Sequence, residues 1–324
     1  MQALANPTAP SSAECAQSTR QSYVNSPDSP AARRVDAPAP LALWHLASLD
    51  APTVALVWAL AFAWAAHVTL PAWAPILLAL VAWPVYIADR LLDVRSAFRT
   101  SQVHPLRMRH HFHWRYRRLF IPLAAASTCA AACIIVICMP VAARERNSVL
   151  VAAGLAYFSS VHVGRTYPRM LSRIFAPLLA KETLVAVIFT AACALPALSR
   201  AGTGGSLRLA SAFWSMVIAV VFFTLLAWLN CNSIEHWEAA QSRSNGNRSP
   251  RSGTFAHAIG LGLAGLLLAA GLSFHQRVAL LVASGAAAAL LLALLDRLRD
   301  RLTPLALRVA ADLVLLTPLT FLLR

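Results

Sequence analysis

The chain is 324 residues long, 58% hydrophobic and only 13% charged, with a mean hydropathy of +0.60. Soluble domains average about 25% charged residues, so this composition excludes a disordered chain, a collagen-like chain and an ordinary soluble enzyme. It points to an all-α polytopic membrane protein. The net charge of +15 comes from 28 basic and 13 acidic residues, and Lys181 is the single lysine. The bases crowd into loops between apolar runs and no nucleic-acid-binding motif accompanies them, so nucleic acid is not expected as a partner.

Residues 1–44 are rich in Ala, Ser, Pro and Asn and read as a disordered N-terminal tail without the charged start and apolar middle of a cleavable signal. Residues 45–324 read as one transmembrane helical domain. Nine apolar runs recur there, at about 51–70, 72–88, 119–139, 148–163, 176–197, 209–229, 255–274, 278–295 and 304–323. Irregular backbone cannot face lipid, so each run is expected to be a helix. With the N-terminus inside, the inner segments carry 21 Lys and Arg and the outer segments 6, Arg308 lying within the ninth run. That bias places the N-terminus in the cytoplasm and fits an odd number of spans.

With so few acids, each can be placed. Asp50 precedes the first run, and Asp296 and Asp300 share a loop with three arginines. Asp89 and Asp93 close the second run at i, i+4, which puts both carboxylates on one helix face. Glu235 and Glu238 follow the sixth run at i, i+3. Both clusters end even-numbered helices, so both belong to the cytoplasmic side. Facing carboxylates repel and need a cation between them. Mg²⁺ suits the role: it takes one or two carboxylates and fills its shell with water and substrate phosphates. The two clusters can thus hold a diphosphate through Mg²⁺, with Asp89, Asp93, Glu235 and Glu238 as metal ligands and catalytic candidates. The alternative is that the clusters never meet and only cap helices beside arginines.

These motifs resemble those of the UbiA-type superfamily of intramembrane prenyltransferases, over about residues 45–324. The likeness rests on nine helices, their orientation and two acidic motifs after helices two and six. His104-Pro105-Leu106 resembles the family's Arg-Pro-Leu element, and Phe189 through Pro196, after Lys181-Glu182, looks like its fifth helix. The motifs diverge: Val85 and Tyr86 stand where Asn-Asp is usual, glutamates replace aspartates in the second motif, and Ser242 stands at its last carboxylate position. The resemblance implies a nine-helix bundle in a bacterial inner membrane with its site facing the cytoplasm. It implies Mg²⁺-dependent transfer of a prenyl group from a polyprenyl diphosphate to a hydrophobic acceptor, aromatic or lipid-like. Tyr86, Arg90, Asn230, Arg165 and Lys181 are the matching candidates for substrate binding.

Bland readings compete with several of these. Lys181, beside Glu182, is either a diphosphate contact or half of an ion pair. The basic segment from Arg107 to Arg118 is either a cap over the diphosphate or a contact with anionic lipid. Arg308 and Asp312, at i, i+4, are expected to neutralise each other. Two other functions stay open: a polytopic secondary transporter, or an inactive member that binds isoprenoid lipid.

Overall fold

A computed structural model describes residues 35–100, 108–162, 181–201, 207–243 and 253–323. The chain is all-helical, with no strand among the described residues. Its helices are α1 (Ala39–Leu46), α2 (Asp50–Ala65), α3 (Trp73–Thr100), α4 (Met108–Arg115), α5 (Arg117–Ile137), α6 (Val141–His162), α7 (Lys181–Leu198), α8 (Leu207–Arg243), α9 (Thr254–Gly271), α10 (Gln276–Leu298), α11 (Pro304–Val314) and α12 (Leu319–Leu322).

Six of them contain stretches long and apolar enough to cross a membrane: Trp73–Arg95, Arg117–Ile137, Lys181–Leu198, Ser211–Ala240, Thr254–Gly271 and Gln276–Arg301. Much of their apolar surface points outward. Ile137 and Leu267 are more than two-thirds exposed. A soluble bundle would turn such side chains inward, whereas lipid is as apolar as leucine and leaves them where they are.

Three of the nine expected runs are helical but do not make a single unbroken membrane-length helix of sufficient hydropathy. The first is α2, which pairs with α1 across an 88° bend. The fourth is α6, whose first turns carry Arg144, Glu145 and Arg146. The ninth breaks after Val314, because Pro318 has no N–H and its ring clashes with the carbonyl four residues back. The carbonyl of Leu315 left over at that break accepts from the buried Trp58 indole N–H at 2.8 Å.

Both helices of the bent pair end in a Schellman motif without glycine. After α1, Leu49 N–H reaches Trp44 O and Ser48 N–H reaches His45 O; after α2, Val68 N–H reaches Ala63 O and His67 N–H reaches Trp64 O. Ser48 (φ 58°) and His67 (φ 56°) hold the left-handed position. Left-handed backbone is unfavourable for a residue with a Cβ, so tertiary contacts must fix the first bend. His113 and Ser48 lie 3.1 Å apart, and the Trp83 indole donates to Ala47 O at 3.0 Å.

The core is aromatic and close-packed around α2. Trp58 stacks on Phe223 of α8 with ring centroids 3.8 Å apart, and Phe62 meets the same ring edge-on. Helices α9 and α10 approach closely through small residues. A Cβ on Gly262 would lie 2.5 Å from Leu290 of α10, and one on Gly265 would lie 2.8 Å from Ala286 of α10 and 2.5 Å from Phe222 of α8.

Candidate functional site

Four helices carry charge at one common level. On α3, Asp89 lies 4.0 Å from the Lys181 ammonium at the start of α7. Next to Lys181, the Glu182 carboxyl meets that of Glu235 on α8. Further along α8, Glu238 is paired with Arg308 of α11. Asp93 faces the His110 imidazole of α4 at 3.8 Å. Lys181 and Asp89 are both substantially exposed, with side chains 44% and 34% accessible.

The expected pairing of Arg308 with Asp312 is not what forms. Arg308 reaches across to Glu238, and Asp312 turns to His45. Although i, i+4 residues are neighbours on a helix, a partner on an adjacent helix wins when the two residues lie in different layers of the bundle. Asp296 is likewise no loop residue. It sits in α10, buried, and accepts from the Trp237 indole at 2.6 Å and from the Thr254 hydroxyl at 3.3 Å, with Arg299 3.6 Å away.

One helical turn deeper lies a second polar layer. On α3 the step runs back from Asp89 to Tyr86, and on α8 back from Glu235 to Cys231 and Asn230. On α7 it runs forward from Lys181 and Glu182 to Val185 and Ala186, and on α11 forward from Arg308 to Asp312. A step of three to four residues is one turn, about 5 Å. These deeper residues, with Asp50, Val54, Phe189 and Leu315, line a cavity of about 70 Å³.

At this level the N-terminal segment contributes to the site. Val35 pairs with the turn before α11, its N–H donating to Arg301 O and its carbonyl accepting from Thr303 N–H. Helix α1 then delivers His45, whose Nδ1 lies 2.8 Å from Asp50 and 3.1 Å from Asp312. Arg90 of α3 approaches Asp50 at 3.9 Å. The His45, Asp50 and Asp312 ligand atoms all lie within 4.8 Å of one another. They make a hydrogen-bonded ion network and a poor metal centre, because His45 Nδ1 is already shared by both carboxylates and Arg90 supplies a cation.

Of the sequence-predicted residues, Asp89, Lys181 and Glu235 meet in the charged layer, and Tyr86 and Asn230 meet at the cavity with Arg90 behind Asp50. Asp93 and Glu238 are drawn aside by His110 and Arg308. Arg165 lies outside the described residues, as does His104-Pro105-Leu106. Sequence reasoning missed His45, Asp50 and Asp312. The signal for them was present, since intramembrane ionisable residues are functional candidates by default, but their meeting depends on helices far apart in sequence.

The donor set of the charged layer suits a hard cation. It is all carboxylate oxygen, and the Glu182 and Glu235 carboxyls crowd together with Lys181 as the nearby base. Among the described residues no three of these carboxylates offer ligand atoms within 4.8 Å of one another. No family model matches the chain, and no curated protein or solved structure shows significant similarity to it.

Proposed function

We propose that the chain is a nine-span intramembrane prenyltransferase of UbiA type, divergent in its motifs, with its N-terminus and site on the cytoplasmic side of a bacterial inner membrane. The observation that carries this reading is the charged layer, in which Asp89 of the first motif and Glu235 of the second are linked through Lys181 and Glu182. A lysine flanked by acids from both motifs is the arrangement a metal-bound diphosphate calls for.

In this reading Asp89 and Glu235 would hold Mg²⁺, and Asp93 and Glu238, now paired with His110 and Arg308, would be the further ligands within the two motifs. When bound, Mg²⁺ stabilises the negative charge that develops on a departing diphosphate. Lys181, flexible and half-exposed, leaves Asp89 to reach a diphosphate oxygen, and Arg165 is a second candidate for that contact. Tyr86 and Asn230 line the cavity one turn deeper, next to the reacting end of the prenyl chain and the acceptor, with Val54, Phe189 and Leu315 as its apolar wall.

The test is isothermal titration of the detergent-purified full chain with a non-hydrolysable geranylgeranyl diphosphate analogue, with and without Mg²⁺. Binding is expected only with Mg²⁺ and to weaken at least about tenfold, or about 1.4 kcal/mol, in Asp89→Ala and Glu235→Ala. Binding indifferent to Mg²⁺ and to both substitutions in folded protein sinks the reading. The buried network of His45, Asp50 and Asp312 favours a second one, a proton-coupled secondary transporter, which solute flux into proteoliposomes would identify.

A further inference from the structure

The layer beneath the charged residues holds an odd number of charges for its burial. Arg90 is a fixed cation, and Asp50 and Asp312 are two acids. Electroneutrality then requires one proton on the trio of His45, Asp50 and Asp312. An unpaired charge in so dry a place is expensive, so states with none or two protons are both penalised. One proton over three adjoining groups is an exchangeable site, not a fixed ion pair.

Several polar atoms here have no hydrogen-bond partner among the described residues. They are His45 Nε2, Arg90 Nε and Nη1, and Asn230 Oδ1, on residues 2%, 4% and 5% exposed respectively. Orphaned groups buried this deeply are normally satisfied by water. The cavity beside them, about 70 Å³, is large enough for water and well below the roughly 150 Å³ that admits a benzene ring. Asp312 keeps 16% of its side chain accessible, against 7% for Asp50, and both acids line the cavity. Cys231, also in its lining, lies within electrostatic reach of Asp312 and also of Glu182, Lys181 and Glu235.

We propose that His45, Asp50 and Asp312 form a buried proton-binding site, connected to the charged layer by water in the cavity. The groups that face it are Tyr86 and Arg90 from α3, Cys231 from α8 and, behind Asp50, His113 from α4; the wall from α7 is apolar, with Lys181 and Glu182 a turn away. The proton site stands without the prenyl-transfer reading; its use in that reaction rests on it. In the transfer, the C1–O bond of the prenyl diphosphate breaks and its electron pair leaves on the diphosphate. The acceptor atom bonds to C1, and the proton it gives up passes through the cavity water to the trio as the trio's own proton is released through that water to bulk, so the trio holds one proton before and after.

Infrared difference spectroscopy on the full chain in lipid vesicles, stepped from acid to alkaline pH in H₂O and in D₂O, tests the site. A protonated-carboxyl C=O band is expected that shifts on equilibration in D₂O, shifts or vanishes in Asp312→Asn and in Asp50→Asn, and survives in Asp93→Asn. His45→Gln should move the pH at which it appears. No such band in the unmodified protein, a band indifferent to both substitutions, or a band that never exchanges with D₂O overturns the proposal. Titration of the same samples with the diphosphate analogue separates the two readings. The carboxyl band without Mg²⁺-dependent binding leaves the proton site standing and removes prenyl transfer; binding without the band does the reverse.

Discussion

The two polar layers of this bundle differ in how firmly they are built. In the outer layer, Asp89 and Lys181 touch at 4.0 Å with side chains at least one-third accessible. In the inner one, His45, Asp50 and Arg90 are nearly inaccessible and share contacts from three helices. Exposed pairs contribute about 0–1 kcal/mol, so the outer layer can rearrange around a ligand at little cost. Buried ionic groups cost several kcal/mol each to desolvate, and breaking one pair is expensive. The outer layer is therefore adaptable and the inner one held firmly in place, although both are made of the same few residue types.

That contrast is easiest to break at Asp50. Asp50→Ala removes the carboxylate beside the buried Arg90 and one of the two carboxylates on His45. A loss of about 3–5 kcal/mol is expected, read as a large drop in the unfolding midpoint in detergent. A change under about 1 kcal/mol would mean that water reaches the inner layer freely and that the two layers do not differ.

Trp237→Phe comes next. It removes the donor at 2.6 Å from the buried Asp296 carboxyl while keeping an aromatic ring. Hydrogen bonds to charged groups contribute about 1.5–3 kcal/mol, and a loss in that range is expected by the same assay. Arg299, 3.6 Å from Asp296, limits the loss.

Acid should then act through His113. Burial pushes its imidazole down from 6.5 to about 4. The neutral ring suits its place: Nδ1–H donates to Arg109 O at 2.9 Å, and bare Nε2 accepts from the Ser48 hydroxyl. Between those two pH values the unfolded chain takes up a proton that the folded chain refuses, so stability rises with pH there. The contribution is full above 6.5 and is lost as pH falls towards about 4. Unfolding midpoints across this window should slope less steeply in His113→Gln, and an unchanged slope would assign the effect to another group.

The smallest stability effect is expected at Lys181. Lys181→Met removes a loose, half-exposed pair, so unfolding should shift by less than about 1 kcal/mol. The same substitution should weaken Mg²⁺-dependent binding of the diphosphate analogue about tenfold. Were stability to fall and binding to persist, Lys181 would belong with the buried network and not with the ligand.

Several features follow from the sequence by itself. Low charge and recurring apolar runs determine an all-helical membrane protein, because a backbone surrounded by lipid must satisfy its hydrogen bonds within helices. The motif spacing puts Asp89 beside Tyr86, and Glu235 beside Asn230 and Cys231, since those relations lie within one or two helical turns. Tertiary structure decided the rest. The sequence could not show that α1 folds back through 88° to bring His45 to Asp312, 267 residues later, or that Arg308 prefers Glu238 to its own helix neighbour. Periodicity specifies which residues share a helix face. Which face meets which depends on close packing, here on Gly262 and Gly265 letting α9 against α10 and on Trp58 stacking against Phe223, and on that packing every buried charge in this bundle depends for its partner.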